Sequence, residues 1–247
     1  MPATPNDTDL KDVYWPERFP RSATYDPGWI REHRMGPNPL WLTEWLCEAM
    51  DLRPGMRVLD LGCGKALSSV FLAREFGVDV WATDLWIEPT ENWTRIRAAG
   101  LDQQVTPIHA NARALPYAHG FFDAIVCVDA YIYFGTDDLY LDYLVTFVAP
   151  RSQIGMVSPG FARELDGPLP EHLRPFWAQE CWSWHTADWW RRHWARTGLV
   201  AVERSENMPE SFELWRRHEQ GEDADVVAAD QGEYMGMIRT VGRTRER

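Results

Sequence analysis

The stretch VLDLGCGKAL, residues 58–67, decides the fold. Its apolar residues surround Asp60 and predict a short buried strand. Gly62 and Gly64 follow in a loop with almost no side chain to pack, and residues 65–76 have the apolar spacing of a helix. Because glycine lets the backbone approach a ligand closely, and a helix N-terminus favours negative charge, this loop is suited to hold a ligand.

The same alternation of strand and helix continues along the chain. We predict strands at 57–61, 78–84, 105–109, 121–128, 153–158, 199–204 and 234–242. We predict helices after Asn38, at 65–76, 91–99 and 137–148, after Thr186, and at 211–220. Strands separated by helical segments of roughly ten to fifteen residues predict βαβ units and a mostly parallel sheet. The predicted fold class is therefore α/β, with a doubly wound, Rossmann-like sheet.

The composition favours a globular protein with a small-molecule partner. The chain has 247 residues, is 45% hydrophobic and carries a formal net charge of −12. This charge opposes association with nucleic acid and with anionic membrane surfaces, so neither is expected as a partner. No secretory leader and no run of about 18 apolar residues is visible, so we expect neither export nor a membrane span. The four cysteines contain no C-x-x-C pair, which favours reduced thiols in the cytoplasm.

The spacing of Gly62 and Asp84 favours a nucleoside ligand. Asp84 ends the second predicted strand, near the distance of roughly 20 residues at which doubly wound folds place an acid on ribose hydroxyls. The dinucleotide fingerprint G-x-G-x-x-G needs a third glycine at position 67, where this chain has Leu67. Leu67 therefore makes an NAD(P)-binding oxidoreductase the second choice. A purely structural interpretation also remains open, in which the loop is a tight turn that binds no ligand.

Four segments, taken in order, resemble the class I S-adenosylmethionine-dependent methyltransferases, most closely their bacterial small-molecule branch. They are VLDLGCGKAL (58–67), VWATDLW (80–86), ANARALPYAHGFFDAIVCVDA (110–130) and FVAPRSQIGMVSPG (147–160). The resemblance spans about residues 36 to 205. It implies a seven-stranded sheet whose last strand is antiparallel, and S-adenosylmethionine as the cofactor. Many members have glycine where this chain has Ala66, a departure from which we expect little loss.

The resemblance implies residues for the amino-acid end of the cofactor. Asp60 and the backbone amides of Gly62, Cys63 and Gly64 would hold this end. Asp129, at the end of the fourth strand, would lie near the methionine moiety. Acids suit this site because the cofactor carries a sulfonium and an ammonium group.

The resemblance also implies residues for the adenosine end. Asp84 would take the ribose hydroxyls, and Leu85 and Trp86 would flank the adenine ring. Asn111 and the amide of Ala112 would contact the edge of the base.

Three residues are candidates for contact with the methyl acceptor. Tyr131 and Tyr133 follow the fourth strand and could orient an acceptor, or could pack against the next helix. His185 is the leading candidate for a base, although it could instead belong to the helix cap at Thr186. It stands among six tryptophans, which favour a cationic amine acceptor: Trp177, Trp182, Trp184, Trp189, Trp190 and Trp194. The histidines have no metal-ligand spacing, so no metal is expected.

The chain divides into an N-terminal arm and a methyltransferase domain. We predict that the arm, residues 1–35, is partly disordered, with residues 1–12 mobile, and that the domain spans 36–247. Within the domain, the insertions 159–185 and 206–232 are expected to form the substrate side. The second insertion resembles a lid, could equally form the contact of a homodimer, and includes an acidic run, EQGEDAD, that predicts a solvated loop.

The function predicted from the sequence is metal-independent transfer of a methyl group from S-adenosylmethionine to a small organic molecule, with an amine or an aromatic metabolite slightly favoured. The acceptor atom is open between nitrogen, oxygen and carbon. Two alternatives remain at this point: an NAD(P)-binding oxidoreductase, and a non-catalytic regulatory protein that binds S-adenosylmethionine.

Overall fold

The computed structural model describes residues 10–246 and contains a seven-stranded sheet. Its strands are β1 (Arg57–Leu61), β2 (Asp79–Asp84), β3 (Val105–His109), β4 (Phe122–Val128), β5 (Val148–Phe161), β6 (Val200–Asn207) and β7 (Met235–Thr244). They lie in the order β3-β2-β1-β4-β5-β7-β6. Strands β1 to β5 pair in parallel, whereas β7 runs antiparallel to both β5 and β6. The predicted fold class and the antiparallel last strand are confirmed.

The helices occupy the segments between these strands and before β1. They are α1 (Pro27–His33), α2 (Pro39–Cys47), α3 (Leu67–Phe76), α4 (Pro89–Ala98), α5 (Tyr140–Leu144), α6 (Ala187–Ala195), α7 (Ser211–His218) and α8 (Glu222–Asp230). The Asn38 side chain accepts from the Leu40 amide at 3.0 Å, and the Thr186 hydroxyl accepts from the Trp189 amide at 3.2 Å. These two bonds begin α2 and α6 by satisfying amides that the first helical turn leaves unpaired.

Strand β1 is the point at which the strand order reverses. The chain moves outward from β1 through β2 to β3 and then returns to β4, on the other side of β1. In a doubly wound sheet, this reversal opens a crevice at the carboxyl ends of the strands. Buried apolar residues hold β1 in the centre, where Val58 pairs with Val80 on one side and with Ala124 on the other.

The N-terminal segment from residue 10 onward packs on the sheet domain. Phe19 is fully buried, and its ring stacks on Trp41 of α2 at 5.4 Å. Asp12 is only 3% exposed because it is paired with Arg31 and Arg34. The predicted mobility of residues 1–12 therefore does not extend to residues 10–12, and residues 1–9 lie outside the described part of the chain.

Two local predictions are wrong. The helix predicted at 137–148 is reduced to α5 and a 3-10 turn, because Val148 pairs with Phe122 and already belongs to β5. The acidic run at 219–225 is not a loop throughout, since α8 begins at Glu222. Acidic residues are favourable in a first helical turn, and this helix carries the buried Val226 and Val227.

Between residues 10 and 246, no helix combines the length and the apolar character that a membrane span requires.

Candidate functional site

A crevice of ≈ 630 Å³ lies at the carboxyl ends of β1, β2 and β4. One part of its wall, here called the loop end, consists of the glycine loop (residues 62–65) and the ends of β2 and β4. The other part, the insertion end, is formed by residues of the two predicted insertions: Phe176, Glu180, Trp184, Trp215, His218 and Glu219. Its volume is within the range of about 300–1,000 Å³ that is usual for small-molecule sites.

The glycine loop presents bare backbone to the crevice. Gly62 has a φ of +75°, and a Cβ at this position would lie 2.4 Å from the Cβ of Ala130. The amides of Gly62 and Cys63 donate to the carbonyl of Thr83 at 2.8 and 3.1 Å. The Gly64 amide donates to Asp84 at 2.8 Å. These three amides therefore have acceptors inside the protein, and their role in holding the amino-acid end of the cofactor stays a prediction.

Ala66 adopts a left-handed conformation with a φ of +64° just before α3. The residue is fully buried. A left-handed backbone costs a residue with a Cβ roughly 1–2 kcal/mol. We expected little loss from alanine at this position, but the left-handed backbone gives it a conformational cost that glycine does not have.

Asp60 is fully buried at the end of β1, and its Oδ1 has no hydrogen-bond partner among residues 10–246, so its contact with the amino-acid end of the cofactor stays a prediction. Its Oδ2 accepts from the hydroxyls of Ser68 and Ser69, both at 2.6 Å. Burial raises the pKa of this carboxyl to about 6. Because both serines belong to the first turn of α3, Asp60 joins that helix to β1. This contact explains why a buried strand carries an acid near its end.

Asp84 is the residue that organises the loop end. Its Oδ1 accepts from the amides of Trp86 and Ile87 at 2.7 and 3.0 Å, and its Oδ2 accepts from Gly64. A carboxylate oxygen can accept two hydrogen bonds, so Oδ2 keeps one position that is free for a ligand. The side chain lines the crevice and is thus placed to receive a hydroxyl group.

Asp129 lies at the end of β4, where its φ of +53° is unusual for a residue with a side chain. The carboxylate lines the crevice and forms no hydrogen bond or ion pair with any of residues 10–246. Burial, together with the charge of Glu180, raises its pKa to about 8. Strained backbone and a perturbed carboxyl at the same position are typical of functional sites.

The four residues predicted for adenine all line the crevice. Leu85 and Trp86 are exposed, and the Trp86 ring meets the edge of the Tyr133 ring at 5.3 Å. Asn111 and Ala112 lie on the same wall, where the Asn111 carboxamide oxygen accepts from the Arg113 amide at 2.9 Å.

Of the three predicted acceptor-contact residues, only Tyr133 lines the crevice. Tyr131 is fully buried, with its ring 5.6 Å from both Trp190 and Trp194 of α6. His185 stacks on Trp189 at 3.7 Å, outside the crevice. This geometry favours the structural alternative for Tyr131 and His185, because both rings pack against α6, and a role of either in contact with the acceptor stays a prediction.

Several residues of the insertion end have no local sequence pattern that assigns them to the site. Of the six tryptophans noted in the sequence, only Trp184 lines the crevice, and its buried indole N–H has no acceptor among residues 10–246. Trp215 of α7 lines it too. Burial and the charge of Asp223 raise the pKa of Glu219 to about 7, while burial and the nearby Arg34 lower the pKa of His218 to about 4. In the sequence, the acidic run that begins at Glu219 is the feature that could have indicated this part of the crevice.

Within the part of the chain that the structure covers, residues 10 to 246, no group of three or more histidine, cysteine, aspartate or glutamate side chains is arranged to hold a metal ion.

Comparison with known proteins agrees with this geometry. A family model described as a methyltransferase domain matches residues 58–150. Methyltransferase GfsG of Streptomyces halstedii is 29% identical over 144 residues, which are 58% of this chain and 48% of that protein. The glycine/sarcosine/dimethylglycine N-methyltransferase of Actinopolyspora halophila is 24% identical over 197 residues, 76% of this chain and 32% of that protein. The chain therefore spans about half or less of these relatives.

A solved structure supports the fold assignment. Geranyl diphosphate C-methyltransferase from Streptomyces coelicolor A3(2), solved with Mg²⁺, geranyl diphosphate and S-adenosyl-L-homocysteine, aligns with a TM-score of 0.69 at 16% identity. The alignment covers 82% of this chain and 76% of that chain. The resemblance to class I methyltransferases, first visible in four short segments, is confirmed by the sheet topology, by the matched domain and by this likeness.

Proposed function

We propose that this chain, with its class I methyltransferase fold and its matched methyltransferase domain, transfers a methyl group from S-adenosylmethionine to a small amine. One observation carries the proposal. A single crevice joins Asp84 and the glycine loop to an end lined by aromatic rings and carboxylates. A cofactor bound at the loop end and an acceptor bound at the insertion end would thus meet inside one cavity.

The loop end fits the cofactor. The free acceptor position on Asp84 suits a ribose hydroxyl, and Leu85, Trp86 and Asn111 supply an apolar wall and an amide for adenine. Asp129 offers a carboxylate that has no partner among the described residues, near the strand end where the sulfonium and ammonium groups are expected. When bound, S-adenosylmethionine supplies an electrophilic methyl group on sulfur.

The insertion end favours a cationic acceptor. Phe176, Trp184 and Trp215 provide aromatic faces, and Glu180 and Glu219 provide negative charge. Aromatic faces and carboxylates both stabilise ammonium groups. One of the relatives is named for N-methylation of glycine, sarcosine and dimethylglycine, which is consistent with an amine.

The protein's contribution to such a transfer is alignment and exclusion of water. Methyl transfer is a single in-line displacement that requires no covalent bond to the protein, so holding the two reactants in one geometry supplies much of the acceleration. The 206–232 insertion supports this role as a lid, since its residues Trp215, His218 and Glu219 close one side of the crevice. The four buried, unpaired cysteines fit the expected cytoplasmic location.

The test is calorimetry of the purified protein with S-adenosylhomocysteine and with NAD⁺. We expect the first to bind and the second to give no heat. Incubation with methyl-labelled S-adenosylmethionine and a panel of small amines, followed by mass spectrometry, should then yield labelled methylamines. Binding of NAD⁺ alone would overturn the proposal. Binding of S-adenosylhomocysteine with no labelled product from a whole-cell metabolite extract would instead identify a non-catalytic cofactor-binding protein.

A further inference from the structure

Polar contacts link the N-terminal segment to the insertion end of the crevice. The carboxylate of Asp12 pairs with Arg34 at 3.1 Å. The Nη1 of Arg34 donates to Nδ1 of His218 at 3.0 Å. The Nε2 of His218 in turn lies 3.7 Å from Oε1 of Glu219. Asp12, Arg34 and His218 are therefore linked by direct polar contacts, and the His218 ring brings Nε2 to within 3.7 Å of a carboxylate that lines the crevice.

The contact with Arg34 fixes the state of the His218 ring. A guanidinium group can only donate, so Nδ1 must accept and the proton of the neutral ring must be on Nε2. The cation beside it also opposes a second proton on the ring, in agreement with a pKa lowered to about 4 by burial and by Arg34. At neutral pH, His218 thus carries its proton on Nε2, the nitrogen that lies 3.7 Å from Glu219, and cannot itself act as a base.

Glu219 differs from the other acids of this region. Glu213 of the same insertion is neutralised by Arg216 and Arg217, whereas the Glu219 carboxylate has no cationic side chain in ion-pair contact among the described residues. The charged groups that face it are Asp223 of α8 and Arg34. Its side chain is nevertheless only 14% exposed.

We propose that Glu219 binds the ammonium group of the acceptor and accepts its proton, and that Asp12, Arg34 and His218 are positioning residues for this carboxylate. The inference rests on the proposed function, which it deepens by naming the group that activates the acceptor. It also accounts for a largely buried acid that lines the crevice without an ion pair to a lysine or arginine among residues 10–246.

The chemistry balances without a further reactant. An ammonium group transfers one proton to an oxygen of Glu219 and becomes an amine with a free lone pair. The lone pair attacks the methyl carbon, and the N–C bond forms as the C–S bond breaks, with its electron pair remaining on sulfur. Glu219 then returns the proton to water when the crevice opens. A carboxyl with a pKa of about 7 can hold and release this proton near neutral pH.

The inference can be tested by calorimetry on protein saturated with S-adenosylhomocysteine. The probes are benzylamine, phenethylamine and tryptamine, each compared with its alcohol analogue. We expect at least one amine to bind more tightly than its alcohol, with an affinity that rises between pH 6 and 8 as Glu219 ionises. Glu219→Gln should weaken this binding about tenfold or more and remove the rise. The control Glu222→Gln, which changes an exposed acid of α8, should keep both the amine affinity and its rise with pH.

A second variant distinguishes a positioning role of Arg34 from a general structural defect. Arg34 lowers the pKa of Glu219, so Arg34→Met should move the midpoint of the pH rise upward. A purely structural defect would weaken binding without moving the midpoint. The affinity for S-adenosylhomocysteine should stay the same in all variants, which also verifies that they fold.

The outcomes distinguish the two proposals. If S-adenosylhomocysteine does not bind to the wild type, the proposed function fails. If it binds but Glu219→Gln keeps the affinity and the pH rise for amines, or no amine binds more tightly than its alcohol, the role of Glu219 is overturned while the cofactor site stands.

Discussion

The carboxylate of Asp84 accepts a hydrogen bond from the amide of Gly64 at 2.8 Å and thereby ties the end of β2 to the glycine loop after β1. The same side chain holds the turn after β2 through the amides of Trp86 and Ile87. Asp84 therefore fixes the positions of two walls of the crevice. One lone pair of its Oδ2 also remains free to accept a hydrogen bond from a ligand. A substitution at Asp84 should consequently affect the protein with and without cofactor.

Asp84→Asn should reduce both cofactor affinity and stability. The amide group replaces one accepting oxygen with a donor, so a loop amide or a ribose hydroxyl loses its partner. We expect S-adenosylhomocysteine to bind about 10- to 100-fold more weakly in calorimetry, and the free energy of unfolding to fall by about 1–3 kcal/mol. Asp79→Asn, at the opposite end of β2, is the matched control and should change neither. An unaltered affinity in Asp84→Asn would refute the ribose assignment.

Gly62→Ala should destabilise the protein more than Gly55→Ala. Both glycines have φ values near +75° to +80°, so both substitutions carry the cost of a left-handed backbone, roughly 1–2 kcal/mol. A Cβ at position 55 meets nothing within 4 Å, whereas one at position 62 would lie 2.4 Å from the Cβ of Ala130. We expect Gly62→Ala to lose about 1–3 kcal/mol beyond the control in urea denaturation. Equal losses would mean that the loop can move away from β4.

His185→Ala should lower stability and leave the crevice intact. The imidazole stacks on Trp189 at 3.7 Å, a contact worth about 1 kcal/mol, and the ring does not line the crevice. Thermal unfolding should show this loss, while S-adenosylhomocysteine affinity stays at the wild-type value. His119→Ala, which removes an exposed histidine, serves as the control. Loss of methyl transfer without loss of stability would restore His185 as a catalytic candidate.

The ligand-free protein should become less stable as the pH rises from 6.5 to 8. Glu219 and Asp129 have folded-state pKa values of about 7 and 8, well above those of an unfolded chain. In this window the folded state binds more protons than the unfolded state, so the free energy of unfolding falls with pH. The lowered pKa values of His185, His193 and His218 act in the opposite direction, and this effect fades as the pH rises above about 6.5, the usual histidine value, so the fall in stability is steepest in the upper part of the window.

The measurement is the unfolding midpoint in urea at several pH values. Glu219→Gln should make the dependence between pH 6.5 and 8 shallower, because it removes one of the two carboxyls that lose a proton in the folded state. Glu222→Gln should leave the slope unchanged. A midpoint that stays constant in the wild type over this window would contradict the raised pKa values.

Local sequence was sufficient for the features that depend on neighbours along the chain. The strand, glycine loop and helix around residues 58–76, the caps at Asn38 and Thr186, and the placement of Asp84 at a strand end all follow from short-range patterns. The doubly wound topology follows as well, because alternating strands and helices have few ways to pack. These features were sufficient to predict the fold class and the resemblance to class I methyltransferases.

Contacts between distant segments were decided by the tertiary structure alone. Arg34 and His218 are separated by 184 residues, and neither position has a local pattern that predicts their contact. The sequence pointed to His185 because it stands among tryptophans, yet α6 turns that ring away from the crevice and α7 brings Glu219 to it. Whether a side chain faces a ligand or a helix depends on how the helices and strands pack together. The burial that sets the pKa of a side chain, and the contacts that the side chain makes, arise only when separate parts of the chain come together.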